Sequence, residues 1–122
     1  MSSDGIVLMA PTLDNDQYKI INENINSFPI ISIAPVDENV ITTITFDSYQ
    51  GGRLAAKLLL ESGHQRFGII TGPLIKWEAN LRRNGYINYL NRKGFHIQWQ
   101  YHGDYSFRSG EKAFNSIEKQ DK

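Results

Sequence analysis

A chain of 122 residues, 40% of them hydrophobic, can form one modest core but not two complete ones. Thirteen basic residues offset thirteen acidic ones and no like-charge block is longer than a pair such as Arg82-Arg83, so no footprint for a phosphate backbone is visible and DNA binding by this stretch is not expected. The absence of cysteine excludes a disulfide framework, thiolate chemistry and a Cys-based zinc site.

The start, Met1-Ser2-Ser3-Asp4, has no basic n-region, and the run Ile6 to Ala10 is far shorter than a signal core or a membrane span, so a soluble cytoplasmic chain without a membrane partner is expected. That same run, closed by Pro11, reads as a strand buried on both faces of a parallel sheet. Tyr18, Ile21 and Ile25 then recur at helical spacing, and this helix is expected to end near Ser27, before Pro29. Pro29 to Ile33 reads as a second strand, Pro35 to Asn39 as loop, and Thr42 to Phe46 as a third strand ending at Asp47.

From Ser48 the pattern turns helical, with Leu54, Ala55, Leu58 and Leu59 on one side and Gly63 as the stop. The three leucines are expected to serve as core or as contacts with a second copy. Phe67 to Thr71 reads as a buried strand, Gly72-Pro73 as a turn, and Leu81, Gly85, Tyr86, Tyr89 and Leu90 as the face of a helix ended by Gly94. Phe95 to Tyr101 alternates as a strand, and Ser106 to Glu118 closes as a polar helix. Strand–helix alternation throughout predicts an α/β protein with parallel sheets flanked by helices.

No catalytic engine is visible. There is no Gly-x-Gly-x-x-Gly after a strand, no Gly-x-x-x-x-Gly-Lys-Ser/Thr loop and no Gly-x-Ser-x-Gly elbow, so neither an enzyme nor a cofactor is expected. His64, His96 and His102 lack metal-ligand spacing and read as structural or solvated. A phospho-accepting receiver, with Asp47 at a strand end, would need an acidic pair after the first strand, where Ala10-Pro11-Thr12 stands.

Four segments carry a resemblance. They are Phe46-Asp47-Ser48-Tyr49-Gln50-Gly51-Gly52-Arg53-Leu54-Ala55, the run Leu58 to Leu74 with its Gly63-His64 and Gly72-Pro73, Arg82-Arg83-Asn84-Gly85-Tyr86, and Gly103-Asp104-Tyr105-Ser106 with Gly110. In this order and spacing over Asp4 to Phe114 the chain resembles the middle of LacI/GalR-type bacterial regulators. The resemblance implies parts of two doubly wound lobes of a periplasmic-binding-protein-like fold, with the ligand at the carboxyl ends of the strands. It implies a crossover at Gly63-His64, so that residues 1–63 belong to the N-terminal lobe and 64–122 to the C-terminal one. It also implies that the helix-turn-helix headpiece, the first units of lobe one and the later units of lobe two are not among these residues. DNA would then be bound only through that headpiece, and the fragment alone would bind ligand weakly and self-associate, as a homodimer or higher. The alternative reading is a sugar-binding protein of a transport system, which shares the architecture.

Within that frame the implied partner is a small-molecule effector, foremost a sugar. The resemblance places the ligand-contacting arginine on Arg82, whose planar guanidinium can donate parallel hydrogen bonds to vicinal hydroxyls or a carboxylate. From the residue alone, a solvated helix arginine explains it better. Tyr105 follows a strand and Gly103-Asp104, where its ring could stack on a pyranose face, although a surface or core tyrosine is an equal reading. Asp47 and Gln50 stand just past a strand end, where an amide and a carboxylate suit hydroxyls, and helix capping explains them equally well. Lys76 and Trp77 open the Arg82 helix on a loop that the resemblance implies shapes the pocket.

Overall fold

A computed structural model describes residues 4–9, 14–24, 29–33 and 41–120. Two compact units, Met1–Phe46 and Asp47–Lys122, divide the chain.

In the first unit the strands β1 (Ile6–Leu8), β2 (Ile30–Ser32) and β3 (Thr42–Thr43) form a parallel sheet in that order, with helix α1 (Asn15–Asn24) crossing from β1 to β2. Parallel neighbours need such a crossover because the chain must return to the same end of the sheet. Tyr18, Ile30 and Ile41 form the buried cluster, with Leu8 and Ile21 packed on it. The apolar spacing Tyr18–Ile21 therefore marks the inner face of α1, as expected; Ile25, Ser27 and the loop Pro35 to Asn39 lie outside the described residues.

The first strand departs from expectation. It is shorter than Ile6 to Ala10, and it is not buried on both faces, since Val7 is 66% exposed. β1 is an edge of the sheet, paired only with β2 among the described residues. The third strand likewise keeps only Thr42–Thr43, and Ile44 and Phe46 stand exposed beyond it.

The second unit contains α2 (Ser48–Glu61), β4 (Gly68–Thr71), α3 (Trp77–Arg92), β5 (Trp99–His102) and α4 (Phe107–Gln120). β4 and β5 pair in parallel in the register Gly68↔Trp99 to Thr71↔His102. Ala56, Phe67, Tyr86 and Leu90 are its buried cluster, and Phe67 meets Phe95 edge-to-face at 5.4 Å between centroids. The expected strand Phe95 to Tyr101 begins later, at Trp99. Phe95 and Ile97 instead lie before the strand and pack on the core, which is why their alternation looked like a strand.

Helix α2 turns a different face inward from the one its leucines predict. Ser48, Gly52 and Ala56, four apart, are buried, whereas Leu54, Leu58 and Leu59 are 49%, 66% and 37% exposed. The cause is a close crossing with α3. A Cβ on Gly52 would overlap the Arg82 carbonyl oxygen, and one on Gly85 would overlap that of Tyr49, so backbone meets backbone and only hydrogen fits between. Arg53 over the Tyr89 ring at 5.4 Å and Asn88 Nδ2 donating to Tyr49 Oη at 3.2 Å flank this seam. The seam ties α2 to α3 within the unit that begins at Asp47. The leucines are not core of the described structure.

Gly63 and Gly94 follow the ends of α2 and α3 with φ of 91° and 87°. This left-handed backbone is what ends a helix at glycine, as their positions predicted.

Candidate functional site

β4 and β5 end side by side, and each runs into a glycine: Gly72 after Thr71, and Gly103 after His102. Gly103 N–H donates to the Thr71 carbonyl at 2.7 Å and carries the ladder one step past the strands. Below this step the Thr71 hydroxyl is buried and within hydrogen-bond distance of His102 Nδ1, 3.2 Å away. This bond accounts for His102 as a structural histidine. No cluster of three or more His, Cys, Asp or Glu able to hold a metal occurs among the described residues.

The chain leaves β5 through Gly103-Asp104 and places Tyr105 with φ 70°, in the left-handed region that residues with a side chain rarely adopt. Its ring lies against Gly72, where any Cβ would overlap the ring carbons, and its hydroxyl accepts a hydrogen bond from Arg82 Nη2 at 3.0 Å. Arg82 and Tyr105, 23 positions apart, thus form one wall at the carboxyl ends of two parallel strands. That is where doubly wound sheets bind ligands. The tyrosine is 62% exposed, and only one of the guanidinium's N–H groups is engaged by it.

The other expected residues stand at helix starts. Asp47 is the N-cap of α2: its Oδ1 accepts the Gln50 N–H at 3.0 Å. That bond answers one of the orphan donors at the helix start, as helix capping does. Lys76 occupies the N-cap position of α3 with extended backbone, and its N–H closes the turn onto the Pro73 carbonyl at 2.9 Å. Trp77 is the first helical residue and is exposed, as is Ile75 beside it.

Supporting residues went unnoticed in the sequence. Tyr86, whose phenol donates to the Gly68 carbonyl at 3.0 Å, is pushed up in pKa by burial and stays a neutral donor beneath the site. Gly72 is needed because the Tyr105 ring occupies the place of a side chain, a relation no local pattern reveals.

Asp104 is exposed, yet its carboxyl is held below the usual carboxylate range, chiefly by the side chain of Ser106, then by the Ser106 N–H and the Ser109 hydroxyl. A depressed folded value means that its contribution is complete above the ordinary carboxylate pKa and is lost as pH falls through the lower folded one. In a carbon-detected pH titration we expect the Asp104 carboxyl to titrate below the usual carboxylate range. A midpoint within that range would mean the Ser106 bonds are not kept in solution.

An open depression of about 190 Å³ lies beside the start of α4, with His102, Asp104, Ser106, Arg108 and Lys112 among its lining. It includes neither Arg82 nor Tyr105.

Parallel strands alternating with helices, and a polar–aromatic wall at the strands' carboxyl ends, define an α/β ligand-binding module. The family model described as "Periplasmic binding proteins and sugar binding domain of LacI family" matches residues 2–121, and the chain belongs to that family. The HTH-type transcriptional repressor PurR of Pasteurella multocida is 34% identical over 97% of this chain and 36% of its own length. The Ribose operon repressor of Escherichia coli K12 is 33% identical over 93% of this chain and 35% of its length. A crystal structure of the Lactose Repressor bound to the anti-inducer ONPF superimposes with a TM-score of 0.76 at 26% identity, covering 96% of this chain and 44% of that one. The chain therefore spans about a third of the length of these curated relatives. No described helix is long and apolar enough to cross a membrane.

Proposed function

We propose that this chain supplies one wall of the effector pocket of a LacI-type transcriptional repressor, with Arg82 and Tyr105 as its ligand contacts. The observation that carries the reading is the Arg82–Tyr105 hydrogen bond at the carboxyl ends of β4 and β5. An arginine fork beside an exposed aromatic face suits a polyhydroxylated ring: the fork donates to adjacent hydroxyls and the aromatic face covers the apolar side of the sugar. The Ribose operon repressor among its relatives supports a sugar as the class to test first. Asp47, Gln50, Lys76 and Trp77 are assigned to helix starts near this wall, with Trp77 the next most available for contact.

The protein works in the cytoplasm as a dimer, binds operator DNA through residues outside this stretch and catalyses no reaction. The balance of charges within the chain and the repressor names of its relatives support this division of labour over a transport role. Residues 1–63 are read as part of the N-terminal lobe and 64–122 as part of the C-terminal one, as the resemblance implies.

A thermal-shift screen of sugars, nucleobases and phosphosugars on the full-length protein tests the effector class. Ligand at about a hundred times its Kd adds roughly 2.7 kcal/mol to stability, a shift of several degrees for a domain of this size. We expect a sugar with vicinal hydroxyls to give it. A shift from nucleobases alone would reassign the class, and no shift from any of the three would end the sensing role.

A further inference from the structure

Tyr105 is the one non-glycine residue with positive φ among the described residues. Such a backbone persists only where its neighbours over-determine it. Here they do so on both sides. Asp104 Oδ1 accepts the Ser106 N–H at 2.8 Å, the Asp104 N–H donates to Ser109 Oγ at 3.2 Å, and the Ser109 N–H donates to Ser106 Oγ at 3.0 Å. The Ser109 hydroxyl also donates to the Ser106 carbonyl at 3.0 Å. Residue 105 is thus the apex of a closed hydrogen-bonded bracket, with no bond of its own backbone in it.

The consequence lies in the side chain. With residue 105 in the left-handed region the ring comes to rest on Gly72, and the hydroxyl arrives within reach of Arg82. In an extended conformation the Cβ of residue 105 would leave the backbone in a different direction, and neither contact would be made.

We propose that Asp104 is a positioning residue: together with Ser106 and Ser109 it holds Tyr105 in its left-handed conformation, and so sets the Tyr105–Arg82 wall before ligand arrives. Its functional meaning rests on the effector role given above to Arg82 and Tyr105. Asp104 acts through the tyrosine and is not itself assigned a ligand contact. Pre-setting the wall removes an ordering cost from binding, because the ring and the guanidinium need not be immobilised by the ligand.

The structure supplies a ligand-free readout with an internal control. A glycine proton occupies the place of the missing Cβ, so one Hα of Gly72 faces the Tyr105 ring, and one Hα of Gly68 faces the Trp99 ring. Both should resonate upfield through ring currents. In Asp104→Ala we expect Gly72 to lose most of its upfield displacement while Gly68 keeps its own, which shows that β4 and β5 remain paired. Asp104→Asn keeps an oxygen acceptor at the same place and should restore the Gly72 shift, which a general loss of stability would not do. Should Asp104→Ala lose both signals by unfolding, Ser109→Ala decides: a reduced Gly72 shift with Gly68 intact supports the bracket. An unmoved Gly72 signal in a folded Asp104→Ala or Ser109→Ala, or its equal loss in Asp104→Asn, overturns the proposal. Because no ligand is used, the outcome is separate from the pocket assignment. Effector binding that ignores Arg82 would end the pocket reading with the bracket still standing.

Discussion

Gly85→Ala is expected to destabilise the second unit by about 3 kcal/mol or more, the figure for overpacking joined to partial opening of a core. The added Cβ meets the Tyr49 carbonyl oxygen, with the Tyr49 carbonyl carbon at 2.9 Å and the Arg53 nitrogen at 3.1 Å. These are backbone atoms inside a helix, and they have no rotamer by which to yield. The two helices must separate, which loosens the packing of Ala56 against Tyr86 and Leu90. Against this stands the gain of about 1 kcal/mol that alanine brings to a helix interior, which is too small to win.

Gly52→Ala should behave in the same way, because its Cβ meets Arg82 and Tyr86 backbone from the other side of the same crossing. The double variant should cost less than the sum of the two, since one separation of the helices relieves both overlaps. Gly51→Ala is the matched comparison. It lies in the same helix with nothing within 4 Å of an added Cβ, and it should be neutral or stabilising. Urea unfolding of the four variants measures this. A Gly85→Ala protein as stable as the parent would mean that α2 and α3 do not approach as described.

Arg82→Ala in the full-length regulator is expected to weaken effector binding by about 2 kcal/mol, close to thirtyfold, if charged hydrogen bonds to the ligand are lost. Two losses combine. The ligand forfeits its fork of donors, and Tyr105 forfeits the partner that fixes its hydroxyl at 3.0 Å. Lysine is a poor replacement, since a single ammonium has no rigid fork to serve hydroxyls and tyrosine together. Arg82→Lys should therefore fall nearer to alanine than to the parent. Calorimetry with the compound found by thermal shift measures both, and unchanged affinity in Arg82→Ala would remove this residue from the pocket.

The Arg82 side chain is exposed on α3, and its neighbour Arg83 donates to Gln100 Oε1 at 3.0 Å. Two adjacent arginines are thus sent to different partners on and beyond β5. Composition treats them alike. The resemblance is what singles out Arg82, and the same segment contains Gly85, the residue that lets α3 touch α2.

What the sequence determined by itself is the order of the elements, the helix stops at Gly63 and Gly94, and the class of protein, because these depend on local periodicity, on glycine's access to positive φ and on motifs read in order. It also named Arg82 and Tyr105. Only the tertiary structure decided that they meet, since a hydrogen bond across 23 positions depends on where two strands end and on Gly72 leaving room for a ring. It decided, too, that α2 buries Ser48, Gly52 and Ala56 in place of its leucines. Hydrophobicity along a helix ranks side chains by their transfer from water, but the closest approach between two helices is made where side chains are smallest.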